Sequence, residues 1–260
     1  MLWQIESPNH EKSILFGTTH LIDQDVFALL SSLDKYISKA NVIYIEYDYQ
    51  NVDNELIYKK LINTGTPISE KLTPNELQRY IVLMKKNHLD LEVFKSASFF
   101  ETYNLLLNPR MITELPIDFK LIDIAKKNNT PLKGLQPLLP VIDEVLKFDN
   151  SYFLLATKAL LSDDEDINTK VVLLKSIYFS ENLNEILKSI HHQITDTTIA
   201  SDYIEKVIYS RNKMMFENVS DDLLKGNVFI AVGAAHLGGP KGLLNLLASE
   251  GYSLTRLDLS

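Results

Sequence analysis

Two segments of matching composition lie near opposite ends of the chain, and each finishes with a histidine. "ILFGTTH" (14–20) and "FIAVGAAH" (229–236) each consist of an apolar run, a glycine, two small residues and a histidine. A single histidine after a strand is most often a hydrogen-bonded loop residue, but repetition of the whole pattern favours function. Imidazole is a common ligand of divalent metal ions, so His20 and His236 would share an ion if the two strands lie side by side.

A carboxylate interrupts a strongly apolar segment between these two motifs. Glu46 lies in "VIYIEYD" (42–48), which has the composition of a strand buried on both faces. An unpaired charge is costly in such a place. Glu46 is therefore either a functional group or a strand-end carboxylate that faces water or pairs with a lysine. Two histidines and a glutamate form a ligand set of hydrolytic metal ions, and they suit Zn, Mn, Co or Fe(II).

Arg211 could supply the charge that complements this carboxylate. It lies in a segment whose apolar residues, Val207 and Met215 among them, follow helical spacing. By pattern alone, an arginine in such a helix is a surface or salt-bridging residue. The helical pattern therefore does not assign Arg211 to the site.

The chemistry requires elements that bring strand ends together. Three short N-terminal segments have the composition typical of β-strands, at 2–6, 13–17 and 42–48. A helical pattern over 23–40 separates the last two, and this order of strand, helix and strand predicts a βαβ unit. The C-terminal part repeats the order, with a strand leading to His236, a helix, and an alternating edge-strand pattern at 252–259.

The middle of the chain, about 51–225, is predicted to be mostly helical, with a short strand at 130–135. The predicted fold class is α/β, with a mostly parallel central sheet from N- and C-terminal βαβ units and a large helical insertion between them. No linker rich in Gly, Pro or Ser divides the chain, so we predict a single domain over residues 1–260. Ligands of open parallel sheets collect outside the carboxyl ends of the strands, where both motifs would lie.

Composition excludes several classes of protein. The net charge of -8 and a pI near 5.3 argue against nucleic-acid binding, and the absence of cysteine excludes disulfides and thiolate metal sites. The sequence contains no apolar run long enough for a membrane helix. Its first residues do not have the pattern of a signal peptide, which predicts a cytoplasmic location. The alternative is an exported protein whose signal peptide has been removed.

With these residues in view, the sequence resembles the TraB/PrgY/GumN family, whose animal relatives are the Tiki proteins. The resemblance covers nearly the whole chain and opens with "LWQIESPNHEKSILFGTTHLI". It rests on the paired Gly-x-x-His motifs, Gly17–His20 and Gly233–His236, together with the glutamate at Glu46 and the Arg-Asn pair at 211–212. These features are specific in combination, whereas each alone would be weak.

The resemblance implies a fold, a chemistry and roles for individual residues. The fold would be related to the erythromycin esterase and ChaN-like groups, with the polar site at the strand ends. Tiki proteins are described as metal-dependent proteases, and PrgY/TraB members reduce the activity of peptide pheromones by degradation or sequestration. The roles implied here are metal binding and catalysis by His20, His236 and Glu46. Arg211 and Asn212 would stabilise an oxyanion or hold a substrate carboxylate.

One departure from the family pattern bears on catalysis. Relatives often have a glutamate after the central short strand, but this chain has Gln136 in "GLQPLLPVIDEV" (134–145). An amide can bind a substrate or a metal ion, but it cannot act as a general base. We also expect Gly17 and Gly233 to let a substrate approach the backbone.

The sequence therefore supports two main hypotheses. The first is a metal-dependent hydrolase, most simply a peptidase, with a divalent transition metal as cofactor and a peptide or small molecule as substrate. The second is a non-catalytic protein that sequesters a peptide or small ligand on the same fold. A third hypothesis is that the two histidines only brace the strand ends of an interaction protein.

Overall fold

The computed structural model describes residues 1–49, 52–108, 114–162 and 167–258. The strands are β1 (Leu2–Glu6), β2 (Lys12–Thr18), β3 (Val42–Asp48), β4 (Leu132–Pro137), β5 (Val228–Gly233) and β6 (Ser253–Leu257). The helices are α1 (Gln24–Ile37), α2 (Asn54–Leu61), α3 (Pro74–Lys86), α4 (Leu91–Phe94), α5 (Phe99–Leu107), α6 (Ile117–Asn128), α7 (Leu138–Leu146), α8 (Leu154–Ser162), α9 (Ile167–Phe179), α10 (Leu183–His191), α11 (Thr197–Tyr203), α12 (Ser210–Leu223) and α13 (Leu243–Ser249).

The strands form one six-stranded sheet with the order β4-β3-β5-β2-β1-β6. β4, β3, β5 and β2 are parallel neighbours, whereas β1 runs antiparallel to both β2 and β6. The predicted α/β fold with a mostly parallel sheet is therefore confirmed. So is the assignment of the C-terminal segment to an edge strand, because β6 pairs only with β1 in the described sheet.

The two terminal units interlock in this sheet. α1 connects β2 to β3, and β5 from the other end of the chain lies between them. Strand β5 is apolar and almost completely buried, as expected for a central parallel strand covered on both faces. The two histidine motifs consequently follow neighbouring strands, which is the condition that the sequence analysis sets for a shared site.

The central part of the chain is mostly helical, as predicted, and it contributes one strand to the sheet. That strand, β4, covers 132–137 against the predicted 130–135, and it pairs in parallel with β3. One hydrophobic cluster surrounds the sheet and includes the buried face of α6, and a second is formed mainly by helices α3, α4, α5, α7, α8 and α11. Val171 and Leu174 of α9 pack against both clusters. The single domain predicted for 1–260 stays a prediction.

The segment 197–225 is more complex than the one helix that its periodicity predicts. It consists of α11, a π-helical segment at Ile204–Tyr209, and α12. A π segment leaves the regular α-helical hydrogen-bond pattern, and such segments occur frequently at functional sites. Here the π segment ends at Tyr209, two residues before Arg211 of α12.

Among the helices in the described ranges, none combines the length and the apolar composition that a membrane span needs.

A buried tyrosine ties the helical part of the chain to the first motif. Tyr178 of α9 donates its hydroxyl hydrogen to the carbonyl oxygen of Gly17 in β2, at 2.8 Å. Tyr178 is buried, so this bond is shielded from water. The end of β2 is thereby held by a helix that is distant in sequence.

We predict that Tyr178→Phe lowers the free energy of unfolding by about 1 kcal/mol, because the Gly17 carbonyl loses a buried donor. Urea denaturation of the two proteins measures the difference. Tyr252→Phe is the matched control, since Tyr252 is also buried but its hydroxyl makes no hydrogen bond within the described structure. Its change should stay within about 0.5 kcal/mol. Equal losses in both variants would contradict the role of the Tyr178 hydroxyl.

Candidate functional site

The chemistry-bearing residues meet at the carboxyl ends of the parallel strands. Glu46 lies two residues before the end of β3, Gln136 lies at the end of the neighbouring β4, and His236 lies in a 3-10 turn directly after β5. Arg211 and Asn212 reach the same rim from the first turn of α12. All five side chains are buried. The expected position of the site, outside the strand ends, agrees with this placement.

Glu46 forms the centre of the cluster. Its Oε1 accepts a hydrogen bond from Nη2 of Arg211 at 2.5 Å, and its Oε2 accepts one from the backbone N–H of Gly233 at 2.9 Å. Burial alone would raise the pKa of Glu46, but the positive charge of Arg211 holds the pKa of this carboxyl well below its usual range. Glu46 is therefore an ionised, fully enclosed carboxylate.

Arg211 is buried, although its helical pattern alone favours a surface position. Its Nε donates to Oε1 of Gln136 at 3.0 Å, and its Nη1 donates to the carbonyl oxygen of Val207 at 3.0 Å. Nη2 donates to the hydroxyl of Tyr47 at 3.2 Å in addition to Glu46. The guanidinium is thus already engaged with groups of the protein. In this arrangement its evident role is to neutralise the Glu46 carboxylate, while contact with a substrate stays a prediction.

Asn212 fixes the orientation and the tautomer of His236. Its Nδ2 donates to the carbonyl oxygens of His236 and Lys241, at 3.2 Å and 2.7 Å, which leaves its Oδ1 facing Nδ1 of His236 at 2.7 Å. Nδ1 must therefore carry the proton, and Nε2 of a neutral ring has a free lone pair. Burial lowers the pKa of His236, against the opposing effect of Glu46, which favours the neutral ring.

The lone pair of His236 and the carboxylate of Glu46 have a separation that fits metal ligands. Nε2 lies 3.6 Å from Oε1 of Glu46. Two atoms bound at about 2.1 Å to one tetrahedral ion are about 3.4 Å apart. A ligating histidine usually donates its other ring N–H to an oxygen acceptor, as His236 does to Asn212. Within the described ranges, however, no three His, Cys, Asp or Glu side chains are grouped as a metal cluster.

His20 is not part of this contact network. It is exposed, and none of the hydrogen bonds in the described structure involves its ring. Burial raises the pKa of Glu46 and Asp118, and the charge of His20 acts against this effect at both carboxyls. His20 therefore acts on this rim through its charge, and no hydrogen bond or ion pair joins it to Glu46 or His236 in the described structure. Its role as a metal ligand stays a prediction.

The two motifs share the Gly-x-x-His pattern but adopt different conformations. The parallel register pairs Thr18 with Gly233, so the first motif is displaced by one residue relative to the second. β2 stays extended through Thr18, whereas the chain after Gly233 turns into a 3-10 helix that buries His236. Equal spacing along the chain therefore does not place the two histidines equivalently.

Both motif glycines provide space within the protein. A Cβ at Gly17 would lie 2.7 Å from Cδ1 of Leu237 and 3.3 Å from Cβ of Ala234. A Cβ at Gly233 would lie 3.0 Å from Oε2 of Glu46. The first glycine thus lets the two motifs pack against each other, and the second lets the carboxylate reach the backbone of β5. Their expected contact with a substrate stays a prediction.

Gln136 contacts the arginine at the end of β4. Its Oε1 accepts from Nε of Arg211, whereas its Nε2 is buried without a hydrogen-bond partner. An unpaired buried donor is costly, so this amide is a candidate for contact with a ligand. Its predicted substrate-binding role is consistent with this unpaired donor.

Asp118 is a candidate that the sequence analysis misses. It lies in the first turn of α6, it is only 6 % exposed, and its Oδ1 accepts a hydrogen bond from the hydroxyl of Thr18 at 3.2 Å. Burial raises the pKa of Asp118 to about 6. The signal in the sequence is its spacing from Leu121 and Ala125, which places a carboxylate on the apolar stripe of the helix.

Comparison with known proteins gives one match. The TraB/PrgY/gumN family matches residues 1–256, which is essentially the whole chain. No curated protein and no solved structure matches the chain.

We predict that Glu46→Gln and Arg211→Met each lower the free energy of unfolding by about 3–5 kcal/mol, because each leaves the partner's charge buried and unpaired. The double variant should lose much less than the sum of the two single losses, since it leaves no uncompensated charge. Guanidinium denaturation of the four proteins measures this coupling. Simple additivity would mean that the two charges do not depend on each other.

Proposed function

The chain belongs to the TraB/PrgY/gumN family, and from that premise we propose that it is a metal-dependent hydrolase that cleaves peptides. The observation that carries the proposal is the pair formed by His236 and Glu46. Nε2 of His236 faces Oε1 of Glu46 at 3.6 Å, and Asn212 holds the ring in the tautomer that a metal ligand requires. The family resemblance supplies the reaction class.

His236 and Glu46 would hold the ion, and His20 would join them from the rim. This set of two imidazoles and a carboxylate suits Zn, Mn, Co or Fe(II). A divalent ion bound there would lower the pKa of its water and polarise the scissile carbonyl of a substrate.

The remaining groups of the site would orient these ligands and contact the substrate. Arg211 neutralises Glu46 and fixes its plane, so that the carboxylate keeps its orientation in a site without bulk water. Asn212 keeps the proton of His236 on Nδ1. The unpaired Nε2 of Gln136 would donate to a carbonyl of the bound peptide.

The second candidate function is sequestration of a peptide or small ligand without turnover. The observation that favours it is Gln136, since an amide beside the arginine cannot accept a proton from water. A binding protein would use the same enclosed site and the same unpaired amide donor. Turnover of a peptide by the purified protein separates the two functions.

We predict that the wild-type protein, purified without a metal-affinity tag, binds about one equivalent of Mn²⁺ or Co²⁺. Loss of a hydrogen bond to a metal ligand typically weakens metal binding by about 10–100-fold. His236→Ala should weaken binding by more than this, because it removes a ligand itself. Metal content by elemental analysis and affinity by calorimetry measure the effect. His192→Ala is the control, since His192 is exposed at the end of α10. Equal affinities for His236→Ala and His192→Ala would contradict the metal site.

We predict that Gln136→Glu raises the rate of peptide cleavage by about 10-fold or more, because it adds a carboxylate that can act as a base beside Arg211. Single-turnover assays with a peptide library measure the rate, and thermal denaturation checks that the variant folds. If neither protein cleaves any peptide while both bind one tightly, the hydrolase proposal fails and sequestration replaces it.

A further inference from the structure

The two motif histidines differ in what holds them. His236 donates from Nδ1 to Oδ1 of Asn212, which fixes its ring. His20 has no hydrogen-bond partner in the described structure, although it belongs to the same repeated motif. Ligating histidines almost always have an oxygen acceptor on the ring nitrogen that does not bind the metal. If both histidines serve one site, His20 requires such an acceptor.

Asp118 has an oxygen atom that is available for this purpose. Its Oδ1 accepts from the hydroxyl of Thr18, but its Oδ2 is buried without a hydrogen-bond partner. A buried carboxylate oxygen that lacks a donor costs free energy, so the fold retains it at the expense of stability. Unpaired buried groups of this kind are expected at functional sites, where another group supplies the missing hydrogen bond.

The position of Asp118 points to His20 as that partner. Thr18, which donates its hydroxyl hydrogen to Asp118, lies at the end of β2, two residues before His20. Electrostatics agree with this, because the charge of His20 is the strongest influence that favours the ionised form of Asp118. Glu46 acts on Asp118 in the opposite sense, so Asp118 lies near both groups.

We propose that Asp118 is the positioning residue for His20: in the occupied site, a ring N–H of His20 donates to Oδ2 of Asp118, as Nδ1 of His236 donates to Asn212. This inference rests on the proposed metal-dependent function. It assigns an acceptor to each motif histidine, an amide for one and a carboxylate for the other. A carboxylate acceptor makes an imidazole more basic, so this contact would strengthen His20 as a ligand.

The test is a titration with Co²⁺ alone, followed by calorimetry and by the visible absorption of the bound ion. The variants are Asp118→Asn, His20→Ala and the double variant of both. Asp123→Asn is the matched control, because Asp123 lies on the same helix, carries the same charge and is exposed. We expect Asp118→Asn to lower Co²⁺ affinity by about 10–100-fold, and Asp123→Asn to leave it unchanged.

The double variant tests whether Asp118 acts through His20. In the His20→Ala background, Asp118→Asn should cause no further loss of affinity, because the ring that it orients is absent. The melting temperature of metal-free Asp118→Asn should equal or exceed that of the wild type, since the substitution removes an uncompensated carboxylate. Retained folding with weakened metal binding is an outcome that a purely structural role would not give.

The remaining outcomes separate this inference from the proposed function. Unchanged Co²⁺ affinity in Asp118→Asn, with tight binding by the wild type, would overturn the role of Asp118 alone. An equal loss in both backgrounds would also overturn it, because Asp118 would then act independently of His20. A wild-type protein that binds no Co²⁺ would overturn the metal-dependent function and this inference together.

Discussion

The burial of one negative charge organises the residues at the carboxyl ends of the parallel strands. A carboxylate enclosed at the end of a central strand is tolerated only if opposite charge and hydrogen-bond donors surround it. Glu46 meets this requirement with the guanidinium of Arg211 on one oxygen and the backbone of Gly233 on the other. Strands β3 and β5 and helix α12 are thereby fixed relative to one another. The orientation of His236 follows, because Asn212 is the neighbour of that arginine in the chain.

Much of this arrangement is predictable from the sequence, because its signals are local. Apolar strands and helical periodicity correctly predict a mostly parallel sheet built from the two ends of the chain. An isolated Glu46 in an apolar strand is equally visible. The different positions of His20 and His236 are not, because they arise from the register of two strands that are distant in sequence. Burial of Arg211 likewise depends on tertiary packing, which helical periodicity does not report.

The buried groups that lack partners are concentrated at the strand ends. Among the described side chains, the buried polar atoms without a hydrogen bond belong to Thr102, Asp118 and Gln136. Two of these three residues lie beside the Glu46 cluster, whereas a core optimised only for stability would pair or remove such groups. Asp118 offers an acceptor and Gln136 offers a donor.

The close approach of Gly17 to the second motif limits how the chain can change over evolutionary time. Gly17 lies where any side chain would meet Leu237 and Ala234, so the residues that follow the two strands share one packing volume. An enlargement at position 17 would be acceptable only with a compensating reduction at 234 or 237. Substitutions at the two ends of the gene should therefore be correlated among relatives, because the motifs diverge as one unit and not as two independent copies.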